Sequence, residues 1–491
     1  MKRFLFLLFF SFTLTVFYAQ NCSCKDNLQW VMQTIEQNDA GFSFFMDKTG
    51  KDVYNKLKEN FLHRAEKISD KTACLRLINN YLARIRRGHI GIIFKDEGLP
   101  WEQNHNPKKI KELYASMPRY SMDKKAFEKY VNRIKDKYGP EGRWLFNGME
   151  IGIVYDNQKN KYIGFVLNSS SPYWQPGHII LELNPQKNGN YKMVYYTRQR
   201  IKKTFPQIEI KEGKYILTGA VALKKIQPVL PANPEIEAYL TYISNPQPSL
   251  KSVSNKTSLL RIPSFSPQIK PVLDSILIEL KRQVENKPFL IIDLRNNTGG
   301  FDVLYQPLLP LLYTNPIRSA SVEFLSTPLN NARMEKFIKD TVWPAEVKEW
   351  AAKNLKKLRA RPGEFINLEG KNVVEFKLDT ILPSPIQVAV LANKRSGSSS
   401  EQFLLEAKQS KKVKVFGTPT AGSLDVSNLN WAESPCGDYI LFYAISRSLR
   451  IPEMPIDGIG VQPDFYLDKE IPPYEWINYA AKILEYSGKN K

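Results

Sequence analysis

The sequence predicts an α/β protein in three parts, and three patterns carry that expectation. Apolar residues recur at helical spacing through residues 26–87. Short alternating segments split by polar turns fill 142–220, and fully apolar strands alternate with helical runs after 256. In turn these mark amphipathic helices, a small and mostly antiparallel sheet, and a parallel sheet covered on both faces. At 491 residues the chain exceeds what one compact core organises. With 43% hydrophobic and 12% aromatic residues it is globular rather than disordered.

The chain opens MKRFLFLLFFSFTLTVFYAQ, with Lys2 and Arg3 ahead of an apolar run and Ala19 as a small residue before a cut. This is the pattern of a signal peptide over 1–19, and the run is short for a membrane span. It predicts an exported protein, periplasmic or extracellular, with no integral membrane segment after signal removal. Export permits disulfides. Of the four cysteines, Cys22, Cys24, Cys74 and Cys436, one bridge is expected from the mature N-terminus to the helix around Cys74, with Cys24 as the partner. Cys22 and Cys24, separated by one residue with no histidine beside them, do not suit zinc.

Residues 20–140 read as an N-terminal helical region. Leu28, Val31, Met32 and Ile35 share a face behind Asp26 as a cap, and Leu75, Ile78, Leu82 and Ile85 do so behind Asp70. Gly88 stops the second run, Ile90, Ile92 and Ile93 suggest a strand, and a helix is expected near 122–137. The β domain spans 142–220, and a Pro-rich linker follows at 221–256. The α/β domain spans 257–475. Its strands are 257–262, 288–294, 386–393 and 413–417, with helical runs at 267–285, in DVLYQPLLPLLY, and after the serine cluster.

The formal net charge of +21 would suit an anionic partner. Lys and Arg are scattered, however, and no basic stripe is interleaved with aromatics, so no nucleic acid is expected. Contact with an anionic envelope surface remains open.

Two loops leave buried strands at their carboxyl ends, where open α/β sheets place their sites. DLRNNTGG carries Gly299 and Gly300, which let backbone N–H groups approach a ligand. NKRSGSSSEQF carries Ser396, Ser398, Ser399 and Ser400 at a strand-to-helix junction, where the helix dipole stabilises developing negative charge.

Together, LIIDLRNNTGG, NKRSGSSSEQF, FGTPTAGSLDVSN and IDGIGVQPDF, with GHIGI upstream, resemble in order the tail-specific (C-terminal processing) serine peptidases, in their tricorn-core-like branch. The resemblance covers roughly 257–470 and the segment around His89. It implies a ClpP/crotonase-like ββα catalytic domain, a serine endopeptidase acting on peptide or protein substrates, and no metal or organic cofactor. The family's Ser-x-x-Glu register, read against Glu401, implies Ser398 as the nucleophile. It implies the N–H of Ser399 and that of Gly299 or Gly300 as the oxyanion donors. No clear PDZ module is present; the β domain stands in that stretch.

A serine hydroxyl needs a base. The lysine that one branch of the family uses is replaced by Ser423, and Lys394 reads as exposed. Of His63, His89, His105 and His178, only His89 matches the family's histidine motif. The carboxylate that helps orient the histidine corresponds to Asp457, with Glu453 as the fallback. Arg87 stands where many relatives carry an acid. Asp293 and Arg295 read as a structural pair. A non-catalytic protein on the same scaffold, capturing peptide tails or envelope polymers, is the alternative.

Overall fold

The computed structural model describes residues 22–97, 106–198, 200–218, 221–339 and 345–487. The expected signal peptide at 1–19 and His105 lie outside them.

Four helices open the fold, Cys24–Asn38, Phe42–Thr49, Lys51–Ala65 and Lys71–Ile85. Ser23, not Asp26, caps the first. Its hydroxyl accepts from Asp26 N–H (3.2 Å) while the Asp26 carboxylate accepts from Ser23 N–H (2.9 Å), a reciprocal box that a serine three residues ahead of an acid forms readily. Asp70 caps the fourth helix through Ala73 N–H at 2.6 Å. Disulfides join Cys24 to Cys74 and Cys22 to Cys436. Sequence spacing gave no sign of the second, whose cysteines are 414 residues apart.

After Ile85 the chain turns and enters strand Gly91–Phe94, which pairs antiparallel with Tyr439–Ser448 near the other end of the sequence. That strand belongs to a five-stranded sheet with Val322–Leu325, Phe365–Asn367 and Val426–Glu433. Leu75, Ile78 and Leu82 therefore share a buried core with Phe324, Ile366, Leu441 and Tyr443.

The helix expected near 122–137 is shorter, Lys124–Val131, capped by Asp123. Beyond it Ile134 still packs against the core, but Lys135, Asp136 and Lys137 are all exposed. Eight antiparallel strands follow between Gly142 and Gln227. The last, Ala222–Gln227, pairs with Gly142–Phe146 and carries the sheet past residue 220. The Pro-rich stretch that follows forms helix Pro234–Ser244 and strand Ser249–Ser252.

The α/β part has a six-stranded sheet in the order Ser249–Ser252, Thr257–Arg261, Phe289–Asp293, Gln387–Ala392, Val413–Gly417, Phe465–Tyr466. Its pairings are parallel after the first. Helices Lys270–Asn286 and Ser399–Ala407 cover one face, and Trp476–Ser487 covers the other. DVLYQPLLPLLY is not the helix its apolar spacing suggests. Pro307 and Pro310 restrict it to two 3-10 turns and the four residues Leu309–Leu312, since proline lacks the N–H that a continuing helix needs. Strands Phe289–Asp293 and Gln387–Ala392 are neighbours, so their loops leave the same edge side by side. Among the described residues no helix is long and apolar enough to cross a membrane.

Candidate active site

Strand Gln387–Ala392 runs into the turn 393–398, and helix Ser399–Ala407 leaves it. The four clustered serines at this junction have distinct surroundings. Ser396, Ser399 and Ser400 are buried, and their hydroxyls donate to the carbonyls of Leu294 (2.8 Å), Gly300 (2.9 Å) and Asn297 (2.9 Å). These three fasten the turn to the neighbouring glycine loop. Ser398 is half-buried, and its hydroxyl donates to no described group. Its backbone has φ 55° and ψ −124°, a conformation that costs a non-glycine residue about 1–3 kcal/mol and persists only where the surroundings enforce it.

The enforcing group is Glu401. One carboxylate oxygen accepts from Ser398 N–H (3.0 Å) and Ser423 N–H (2.9 Å), the other from the Thr420 hydroxyl (2.5 Å) and Gly422 N–H (2.7 Å). Fully buried, it buckles the serine turn to the 420–423 loop. Sequence reading used Glu401 only as a register mark; its four donors converge from two loops and leave no local signature.

The glycine loop lies directly against the turn. A Cβ on Gly299 would come within 2.6 Å of Ser398 Cβ and 2.7 Å of Gly397 O, and one on Gly300 within 2.0 Å of Phe265 O. Both residues have φ in the region that favours glycine, +95° and +148°. Gly299 N–H donates to Asn297 Oδ1 at 2.9 Å. The N–H groups of Gly300 and Ser399 have no acceptor among the described residues.

His89 sits in the turn between helix Lys71–Ile85 and strand Gly91–Phe94, also at a positive φ, 51°. Its Nδ1 lies 2.8 Å from Val426 O. A carbonyl only accepts, so Nδ1 carries the proton and Nε2 presents its lone pair. Burial pushes the imidazole down to about 4; Val426 O opposes this, and the Arg86 charge adds to it. The turn touches the serine site through Ser423. A Cβ on the adjacent Gly88 would meet Ser423 Oγ at 2.1 Å, and Ser423 O accepts from Ser398 N–H at 3.1 Å. No hydrogen bond joins His89 to Ser398 among the described residues.

Arg86 holds this turn, and sequence reading missed it. Its guanidinium bonds both oxygens of the buried Asp39 carboxylate at 2.8 Å, and the carbonyls of Gly88 (2.8 Å) and His89 (3.2 Å). Asp39 also receives Gly41 N–H and Ala444 N–H. Arg87, the position singled out for its charge, is exposed.

Asp457 makes no hydrogen bond to His89 among the described residues. Its Oδ1 accepts from the N–H groups of Leu424 (2.6 Å) and Asp425 (2.8 Å), while Oδ2 is buried without a partner among the described residues. Burial, reinforced by the neighbouring Asp425 charge and opposed by the Leu424 N–H, raises its carboxyl to about 6. Asp425 returns the contact, accepting from Ile456 N–H (2.6 Å) and Asp457 N–H (2.7 Å). The two aspartates thus lock 424–425 to 456–457, next to the Val426 carbonyl that receives His89. Glu453 is exposed, as are Lys394 and His63.

His178 is buried in the β sheet, with Nδ1 accepting from Gln175 N–H at 3.1 Å. Asp293 and Arg295 form a buried pair that also receives the Tyr242 hydroxyl and reaches the Pro473 carbonyl. No group of three or more His, Cys, Asp or Glu that could hold a metal occurs among the described residues.

Residues 256–467 match the model of peptidase family S41. No curated protein matches the sequence. Among solved structures, mature CPAF complexed with lactacystin is similar over 94% of this chain and 97% of that one, at 14% identity and a TM-score of 0.50, a likeness of fold. The photosystem II D1 C-terminal processing protease is similar over 92% and 95%, at 13% identity and a TM-score of 0.38.

Proposed function

We propose that this chain, whose residues 256–467 match the model of peptidase family S41, is a serine-type peptidase with Ser398 as its nucleophile and His89 as its general base. The observation that carries the reading is the state of Ser398. Of the four clustered serines it alone combines partial exposure with a hydroxyl that donates to no described group, on a strained turn beside two N–H groups without acceptors among the described residues.

In the reaction, His89 Nε2 takes the Ser398 Oγ proton as Oγ bonds to the carbonyl carbon of the scissile peptide. The oxyanion of the tetrahedral intermediate is held by the N–H groups of Ser399 and Gly300. Gly299, whose N–H is committed to Asn297, contributes by letting the loop lie against Ser398. The C–N bond then breaks, the leaving amine takes the proton from His89, and an ester to Ser398 remains. Water attacks that ester as His89 removes its proton, and the acid product leaves as the proton returns to Ser398.

Asp457 acts as a positioning residue. It fixes Leu424 and Asp425, and through them the Val426 carbonyl that selects the His89 tautomer. Export is part of the proposal. It is supported by the signal-like N-terminus and by two disulfides, which persist in oxidising compartments. It predicts a mature protein that begins at Gln20, which the intact mass of protein recovered outside the cytoplasm checks.

A fluorophosphonate probe tests the catalytic reading. Labelling of the intact protein that disappears in Ser398→Ala and weakens at least tenfold in His89→Ala supports it. An unlabelled intact protein would favour a binding role on the same scaffold, and labelling retained in Ser398→Ala would move the nucleophile elsewhere.

A further inference from the structure

A second site lies at the opposite end of the parallel sheet. At the amino ends of strands Gln387–Ala392 and Val413–Gly417 a cavity of about 460 Å³ opens beside the end of helix Trp476–Ser487. The serine turn leaves the carboxyl end of the first of these strands, so the cavity is no extension of the surroundings of Ser398. Its size falls within the range of about 300–1,000 Å³ common for small-molecule sites.

The lining is one-sided in charge. It includes Lys411, Lys412 and Lys414 and no Asp or Glu. Lys411 and Lys414 are exposed. The Lys412 ammonium is buried and has no hydrogen-bond partner among the described residues. Burial alone lowers its affinity for the proton, with no carboxylate nearby to offset it. A desolvated cation without a counter-charge is unfavourable, and an arriving anion relieves it.

Most of the remaining wall is apolar, and part of it is left open. Ile381, Leu382 and Ile386 are 57%, 40% and 49% exposed, although side chains of this kind are ordinarily covered. Phe416 and Phe465, also in the wall, stack on each other with centroids 4.3 Å apart and planes 3° from parallel. Each ring thus has one face already taken, which disfavours a nucleobase or other flat ligand between them.

We propose that this cavity binds a single-chain amphiphile with an anionic head, a fatty-acid-like carboxylate, its tail along Ile381, Leu382 and Ile386 and its head on the lysine row. Concavity, with open apolar residues on one segment and cations on another, favours a separate chain over the flat surface of a bilayer. The proposal stands apart from the assignment of Ser398.

Calorimetric titration of the full mature chain with dodecanoate, kept below its micellar concentration, tests it. Dodecyltrimethylammonium, the same tail under a cation, is the control. One dodecanoate should bind per chain, at least tenfold more tightly than the cation. Lys412→Met should weaken it at least tenfold. Lys414→Glu, at an exposed position that does not threaten the fold, should weaken it at least threefold. Weakening in either variant, with the thermal transition retained, supports the site. No saturable binding, equal affinity for the two amphiphiles, or unchanged affinity in both variants overturns it.

Discussion

Replacing Arg86 with glutamine removes both 2.8 Å bonds to Asp39 together with the bonds to the Gly88 and His89 carbonyls. Breaking a buried ion pair by removing one partner costs about 3–5 kcal/mol, because the other charge is stranded. Here the N–H groups of Gly41 and Ala444 still serve the Asp39 carboxylate, which sets the expected loss at the lower end, about 3 kcal/mol. The catalytic effect is separate from this. His89 is held at φ 51°, and a turn freed of its carbonyl anchors relaxes and moves the imidazole. A displacement of about 1 Å is enough for a loss on the order of 10² in rate.

The assay pairs urea unfolding with kcat/KM, measured where every variant is fully folded. It uses Arg86→Gln, His89→Ala and the double variant. If Arg86 acts through His89, the double variant is no slower than His89→Ala, while the stability loss from Arg86→Gln persists. Wild-type kcat/KM in folded Arg86→Gln, or a double variant slowed by the product of the single effects, would refute the reasoning.

Glu401→Gln sets an amide NH₂ against two donors in either orientation, since each carboxylate oxygen accepts two. A stability loss of about 2–3 kcal/mol is expected by thermal unfolding, with fluorophosphonate labelling reduced as the Ser398 turn loosens. Gly299→Ala places a methyl within 2.6 Å of Ser398 Cβ at a φ of +95°. Labelling should fall more than about a hundredfold, in line with misplacement of a reacting group. In kcat/KM against pH the acid limb should fall near 4, where His89 gains its proton, rather than near its ordinary value of 6.5.

The same two groups govern acid stability with opposite signs. His89, with its folded pKa depressed, favours folding fully above about 6.5 and progressively less as pH falls to about 4. Asp457, raised to about 6, favours folding below its ordinary 3.8 and loses that contribution as pH rises through 6. Asp457→Asn removes the opposing trend, so its stability should fall with acid more steeply than wild type, by about 1 kcal/mol per pH unit between 6 and 4. Parallel curves from urea midpoints would rule this out.

Periodicity in the sequence reached the architecture because each part buries a regular face. Leu75, Ile78 and Leu82 stand on one helical side, and strand Phe289–Asp293 is buried at every position. It missed where polar partners decide. The short helix after Asp123 ends where an exposed stretch begins, and the apolar run around Pro307 and Pro310 has helical spacing without the N–H groups to use it. At the site, the motifs led to a serine, a histidine and two glycines, each tied to a local turn. Asp39, Arg86 and the Val426 carbonyl are coupled across 47 and 337 residues, and such coupling leaves no pattern along one chain. The motifs point to Asp457 as a carboxylate beside the histidine, but its contacts are with backbone N–H groups, not with the imidazole, and depend on how two loops meet.

The pairing of strand Gly91–Phe94 with Tyr439–Ser448 bears on when the enzyme becomes competent. During synthesis His89 emerges first, Ser398 some three hundred residues later, and the strand that seats the histidine turn later still. On the proposed assignment, a chain made as far as Ser398 holds both the base and the nucleophile but lacks the framework that aligns them. If Ser398 and His89 react as proposed, their chemistry waits on topology until this hairpin has been made, and the Cys22–Cys436 bridge then staples the start of the first helical segment to it.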